Sequence, residues 1–267
     1  MQSFFVSHRV FSLLFGAACL STQVAAAPLA TQFVDTVTPD AELTAFLVNL
    51  VETAQRGLRG DDAAYRALDG LVAPDIRGFS RGLDPLEPWR TVDLSDATAA
   101  GVDLLTSNMV EMGELPQGSP IPDYRPRLLE LLVSLVANPH EPLGTMAGVD
   151  AVACSPARLG VDVAAATSFA KAHDTDGSAI YFYPTDLALY DAPDAGKPAI
   201  GTLAAGTLLL TDYEAERKDG WDKVVSSDGR SGWSEDRSDY LALSQQHLCF
   251  GKVGGTFKIT AFYTYGL

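Results

Sequence analysis

Between Leu187 and Leu243 the chain is a succession of short β-rich runs, each cut off by a turn signal before it can lengthen. The runs are Leu187-Ala-Leu-Tyr190, Gly201-Thr-Leu203, Thr207 to Asp212, Trp221 to Val225 and Ser231 to Trp233. This is the texture of a small barrel, in which strands of a few residues turn back on one another. The strongest turn signal is Ser227-Asp228-Gly229-Arg230, because Asp-Gly supplies the positive φ angles that a two-residue hairpin loop needs.

Ahead of this stretch the periodicity is helical. Thr38-Pro39-Asp40 offers a hydroxyl cap, a proline at the first position and an acid in the first turn. Leu43, Phe46, Leu47, Leu50, Val51 and Ala54 follow at helical spacing, and Gly57 closes the helix. A second, shorter helix is expected from Asp61 to Val72, stopped by Pro74. The glycines and prolines between Ile76 and Trp89 predict irregular chain with a short strand. Ser95 caps a helix through Val102, Leu104, Leu105 and Met109, and Pro116 to Pro126 reads as a loop. Leucine-rich Arg127 to Ala137 predicts a core helix ended by Asn138-Pro139. Val163 to Ala172 makes one more helix before Asp174 to Ser178 breaks it. The expected fold class is α+β. A mainly helical domain covers residues 28–175, and a small β-barrel with an extra C-terminal hairpin around Gly254-Gly255 covers residues 176–267.

The first 27 residues read as an address. Arg9, the apolar run Val10 to Leu20 and the small residues Val24-Ala25-Ala26-Ala27 stand in the order of a secretory signal peptide. The apolar run is too short to cross a bilayer, and no later stretch reaches the length of a membrane span. Ala17-Ala18-Cys19 admits a rival reading as a lipoprotein anchor, with Gly16 standing where such a motif usually has Leu. The expected location is periplasmic or secreted. With 19 Lys+Arg against 34 Asp+Glu, net −15, the composition argues against nucleic acid and anionic membrane surfaces as partners.

The motifs of the barrel region resemble a known family. Leu189-Tyr-Asp-Ala-Pro193, Ile200-Gly-Thr-Leu203, Ala205-Gly-Thr207, Gly220-Trp-Asp-Lys-Val224, Asp228-Gly-Arg-Ser-Gly-Trp233 and Tyr240-Leu241 look like the bacterial SH3 domain (SH3b) repeat. In that family these are the first strand with its proline turn, the Gly-Thr strand, the turn into the third strand, the Trp strand, and the Asp-Gly hairpin with its second Trp. The departure lies in the first strand, where many members read Val-Arg-Ser-Gly-Pro and this chain has Tyr190-Asp191-Ala192 before Pro193. The ending from Tyr240 to Leu267, with Cys-Ser-Pro-Ala at 154 to 157, is similar to secreted single-SH3b proteins of proteobacteria. The resemblance implies an SH3-like barrel, and a terminal hairpin packed against the segment that holds Cys154.

Once the leader is removed, two cysteines remain, Cys154 and Cys249, which in an oxidising compartment predict one disulfide. The alternative is a pair of buried thiols. A catalytic Cys154 served by His173 or His247 would suit a cell-wall cysteine peptidase. However, Ala153-Cys154-Ser155-Pro156 lacks the Asp of that family's Asp-Cys-Ser signature. Asp174-x-Asp176-Gly177 hints at a calcium loop but lacks the carboxylates such a loop needs. His140 sits in a proline-flanked loop. No P-loop, dinucleotide, zinc-protease or nucleophile-elbow motif occurs, so no catalytic residue, metal or cofactor is expected.

The aromatic residues are the better lead. Tyr190, Tyr213, Trp233 and Tyr240 are the candidate ligand-binding residues, while Trp221 is expected in the core. Asp219, Asp222, Asp228, Glu235, Asp236 and Asp239 surround them and would favour neutral or basic ligands. The functional expectation is a non-enzymatic exported protein that binds peptide or cell-wall stem peptide, with peptidoglycan or another envelope protein as partner. The alternatives are an envelope hydrolase with an N-terminal catalytic centre, and a structural or inhibitory partner of another exported protein.

Overall fold

The computed structural model describes residues 27–82, 84–92, 101–103, 105–106, 121–146, 150–212, 215 and 218–265. The expected signal peptide and Cys19 lie outside the described residues, as does most of the helix expected from Ser95. Val102 and Leu105 of that helix are buried. In chain order, β1 (Gln32–Phe33) leads to α1 (Ala41–Leu58), α2 (Asp62–Ala67), β2 (Val72–Arg81), β3 (Arg90–Val92) and α3 (Ile121–Ala137). Then come β4 (Ala153–Ser155), β5 (Leu159–Gly160) and α4 (Val163–Ala172). The strands β6 (Tyr181–Phe182), β7 (Leu187–Leu189), β8 (Gly201–Leu203), β9 (Leu209–Thr211), β10 (Trp221–Ser226) and β11 (Ser231–Glu235) follow. β12 (Leu241–Ala242), β13 (His247–Val253) and β14 (Thr256–Tyr265) end the chain's described part. The fold is thus mixed α+β.

Helix α1 starts at Ala41 because the Asp40 carboxylate accepts the Leu43 N–H at 2.7 Å, two residues inside the Thr38-Pro39 start that the sequence suggests. It buries Leu43, Phe46, Leu50 and Ala54. Its partner α3 begins at Ile121, earlier than expected. Pro122 falls in its first turn, where a missing N–H costs little, and Pro126 follows one turn further on.

Both helices pack on one face of a five-stranded sheet ordered β3-β2-β14-β13-β4. Leu128 and Leu132 from α3 and Phe46 and Leu50 from α1 meet Leu248, Phe250, Phe257, Ile259 and Phe262 from the sheet. Phe46 stands edge-on to Phe250, with ring centroids 5.7 Å apart. Phe250 pairs with Ile259 and Cys249 with Ala261, which leaves Thr260 as an extra residue, and this bulge lets Ile259 and Phe262 both face the helices.

The terminal hairpin is therefore not an appendage to a barrel. Its two strands are the centre of the sheet under the helices, with β14 running parallel to β2 and β13 antiparallel to β4. The N-terminal half is correspondingly not simply helical. The helix expected to reach Val72 ends as a 3-10 turn at Leu68–Gly70, and the chain enters the ten-residue strand β2. Pro74 sits where the β2–β14 pairing is interrupted, between Val72↔Ile259 and Arg77↔Ala261, so its missing N–H breaks no ladder bond.

The second unit has a five-stranded sheet ordered β11-β10-β9-β6-β12 and a two-stranded ribbon, β7-β8. The two are joined where Tyr190 and Trp233 exchange backbone hydrogen bonds, both 2.8 Å long. None of the sheets among the described residues closes into a barrel. β9 is buried on both sides: Leu208 and Leu210 face Phe169 of α4, while Leu209 meets Leu187, Leu189, Leu203 and Val224. The Asp228-Gly229 hairpin forms with a single positive φ, +82° at Gly229, and with Ser226 N–H bonded to the Arg230 carbonyl at 2.8 Å. It is thus a three-residue loop rather than the two-residue one expected. Gly254 and Gly255, at φ +61° and +86°, make the two-residue turn of the final hairpin.

Residues 29–37 strap the two units together. Leu29 N–H reaches Ser227 Oγ at 2.8 Å, Thr31 N–H reaches the Gly206 carbonyl at 2.9 Å, and β1 pairs with β5. Val37 N–H then reaches the Leu143 carbonyl at 2.9 Å, beside the first sheet.

Candidate functional site

Alternation along β6 divides its side chains. Phe182 enters the core under α4, and Tyr181 and Tyr183 turn to the opposite side, their rings edge-to-face at 5.9 Å. Strand β12 pairs with β6 through Leu241↔Phe182, which sets Tyr240 beside them. The Tyr240 ring meets that of Tyr181 at 5.6 Å and 75°, yet Tyr240 is 53% exposed. The Thr211 hydroxyl donates to the Tyr181 oxygen at 3.2 Å. The base of the β10–β11 hairpin completes the wall, because Asp236 N–H bonds the Gly220 carbonyl at 2.8 Å and brings Asp236 alongside Asp222. Tyr181, Tyr183, Tyr240, Thr211, Asp222 and Asp236 thus line a concavity of about 520 Å³. A second concavity of about 450 Å³, lined by His173, Asp174, Asp212 and Val225, shares Ala179 and Thr211 with the first. The first is the tyrosine trough, and the second lies on the face of β10 that carries Lys223 and Val225.

The electrostatics of the trough are negative. Burial pushes the Tyr183 phenol up to about 12, and the carboxylates of Asp222, Asp236 and Asp239 push in the same direction against the pull of Arg237. The Arg237 guanidinium lies 5.4 Å from the Tyr183 ring centre, but its hydrogen bonds go to Asp239 and to Thr185 Oγ1, the latter at 2.7 Å. Lys223 belongs to the opposite face of β10, where it pairs with Asp212 at 3.1 Å.

Of the aromatics singled out in the sequence, only Tyr240 lies in this concavity. Tyr190 and Trp233 are bridge partners on the other side of the β10–β11 sheet, where Trp233 is in register with Lys223. Trp221 is half-buried on that same side and meets Tyr190 edge-on at 5.4 Å, instead of standing in the core. Tyr213 lies outside the described residues. Sequence reading missed Tyr181 and Tyr183. The alternation Tyr181-Phe182-Tyr183 just ahead of the first β-rich run was the available signal.

The chemical alternatives are also placed. Cys154 and Cys249 are directly opposite each other on β4 and β13 and form a disulfide, so Cys154 presents no thiolate. Burial drives His247 down to about 4. The carbonyl of Pro156, which accepts its Nδ1–H at 2.9 Å, favours the charged form, and nearby Arg81 opposes it. His173 caps the C-terminus of α4, and Asp176 caps the turn Gly177–Ala179 by accepting the Ser178 N–H. Among the described residues no group of three or more His, Cys, Asp or Glu could hold a metal ion. No helix among them is long and apolar enough to cross a membrane. Comparisons with protein-family models, with curated proteins and with solved structures found no match.

Proposed function

We propose that the second unit, from β6 to β12, is an SH3b-like recognition module of an exported, non-enzymatic protein, and that its tyrosine trough holds an extended peptide such as a cell-wall stem peptide. The observation that carries this reading is the concavity of about 520 Å³ walled by Tyr181, Tyr183 and Tyr240. Rings that meet edge-to-face are held in place by one another, and an exposed Tyr240 at the rim offers an apolar surface with a polar tip. Aromatic-lined grooves of this size suit extended peptides. The order of strands from β7 to β12, with the Asp-Gly hairpin between β10 and β11, supports the SH3b-like reading. The disulfide between Cys154 and Cys249 is in keeping with an oxidising, extracytoplasmic setting.

The test is retention of the full mature chain on purified peptidoglycan, compared with Tyr240→Ala and with Trp233→Ala from the opposite face. The trough reading expects Tyr240→Ala to lose about tenfold or more in retention and Trp233→Ala to keep it. The reverse pattern, with both variants folded, would move the site to the face of Tyr190 and Trp233. Absence of retention by the unmodified chain would refute the envelope-binding reading.

A further inference from the structure

We infer that the trough selects a ligand carrying an alkylammonium group, of the kind a lysine or other diamino-acid residue brings to a peptide; this rests on the trough being the peptide site. Two independent features point to a cation. The first is the aromatic wall: Tyr181 meets the buried Tyr183 at 80° and the exposed Tyr240 at 75°, so the rings are angled to one another instead of stacking, and half-buried Tyr181 and exposed Tyr240 present the accessible aromatic surface. An ammonium group over such faces is attracted by their quadrupoles, the more so when it is partly desolvated. The second is charge: Asp222 and Asp236 line the concavity, and among the described residues no Lys or Arg lines it. Arg237, which stands over the Tyr183 ring, is held by Asp239 and Thr185. Lys223, on the neighbouring strand face, is committed to Asp212.

The shape fits the same ligand. A concavity of about 520 Å³, open at the exposed Tyr240, accepts a flexible alkyl stem along the rings and brings its charged end to the carboxylates. A carboxylate-bearing side chain would meet two aspartates and is disfavoured, and a neutral one forgoes both interactions.

The probes are a terminally blocked Ala-Lys-Ala peptide and its Nε-acetyl-lysine counterpart, titrated calorimetrically against the full mature chain and against Tyr240→Ala and Asp236→Asn, with melting curves to confirm folding. The lysine peptide is expected to bind about tenfold or more tightly than the acetylated one. Asp236→Asn is expected to narrow that gap by weakening only the lysine peptide, and raised salt to act in the same direction. Equal binding of the two peptides, both weakened by Tyr240→Ala and neither by Asp236→Asn, would overturn the cation inference while keeping the trough as a peptide site. Binding that Tyr240→Ala leaves unchanged, or no saturable binding of the lysine peptide, would overturn both.

Discussion

Replacing both Cys154 and Cys249 by alanine removes a covalent link between residues 95 positions apart without leaving an unpaired buried thiol. The segment so closed contains α4 and every strand from β5 to β12. Freed of the link, the unfolded chain gains loop entropy worth about 4 to 5 kcal/mol in the chain-entropy treatment. Both side chains are fully buried on one face of the first sheet in a cluster with Met146, Ala261 and Tyr263, so truncation adds a small packing loss of the same sign. For a chain of this length about 1 kcal/mol shifts the melting temperature by 2 to 4 °C, so a fall of roughly 10 to 20 °C is expected. Urea titration supplies a second readout, because the unlinked denatured chain is more expanded and its transition should steepen as its midpoint falls. Peptide mapping without reductant should recover Cys154 and Cys249 in one linked fragment. A double variant that melts within 3 °C of the parent would refute the loop-entropy argument; both cysteines freely alkylated without reductant would remove its premise.

Three further outcomes follow from the packing. His247 is held neutral down to about pH 4 in the fold but takes a proton near 6.5 when unfolded. Its contribution is therefore full above pH 6.5 and lost as pH falls toward 4, a change of about 3 kcal/mol that His247→Gln should flatten in urea titrations across that range. Gly206→Ala places a Cβ 2.4 Å from the Thr31 carbonyl oxygen at a backbone φ of +78°, and should cost about 2 kcal/mol or more and speed amide exchange at Thr31. Trp221→Ala should cost only about 1 to 2 kcal/mol, because the ring is half-buried; a loss of 4 kcal/mol in a thermal melt would show that it anchors the unit.

What could be read from the sequence was whatever is encoded locally. The apolar spacing of Leu43, Phe46, Leu50 and Ala54 specifies α1, and Val163 to Ala172 is helical to its ends. Gly201–Leu203 and Trp221–Ser226 follow from β-rich runs with turns on either side. Strand β2 was illegible, because its partner in the parallel ladder is β14, far along the chain, and because Pro74 and Gly78 imitate irregular chain. The role of the last hairpin was hidden for the same reason. The site was half legible. Tyr240 lies in a recognisable motif, whereas Asp222 and Asp236 come together only through the β10–β11 register, and the alternation that turns Tyr181 and Tyr183 away from α4 spans three residues.

The parallel pairing of β2 with β14 also fixes a timetable. Arg81 has left the ribosome long before Thr256 is translated, so α1 and α3 are finished while the sheet they cover has neither of its central strands. Until then Leu43, Leu50, Leu128 and Leu132 have no Phe250, Ile259 or Phe262 to rest on. Loop closure over that distance is slow, which makes folding of the first unit an event that follows synthesis. A nascent chain arrested before β13 is complete would carry two amphipathic helices with bare leucine faces, a substrate for chaperones and proteases rather than a smaller folded protein.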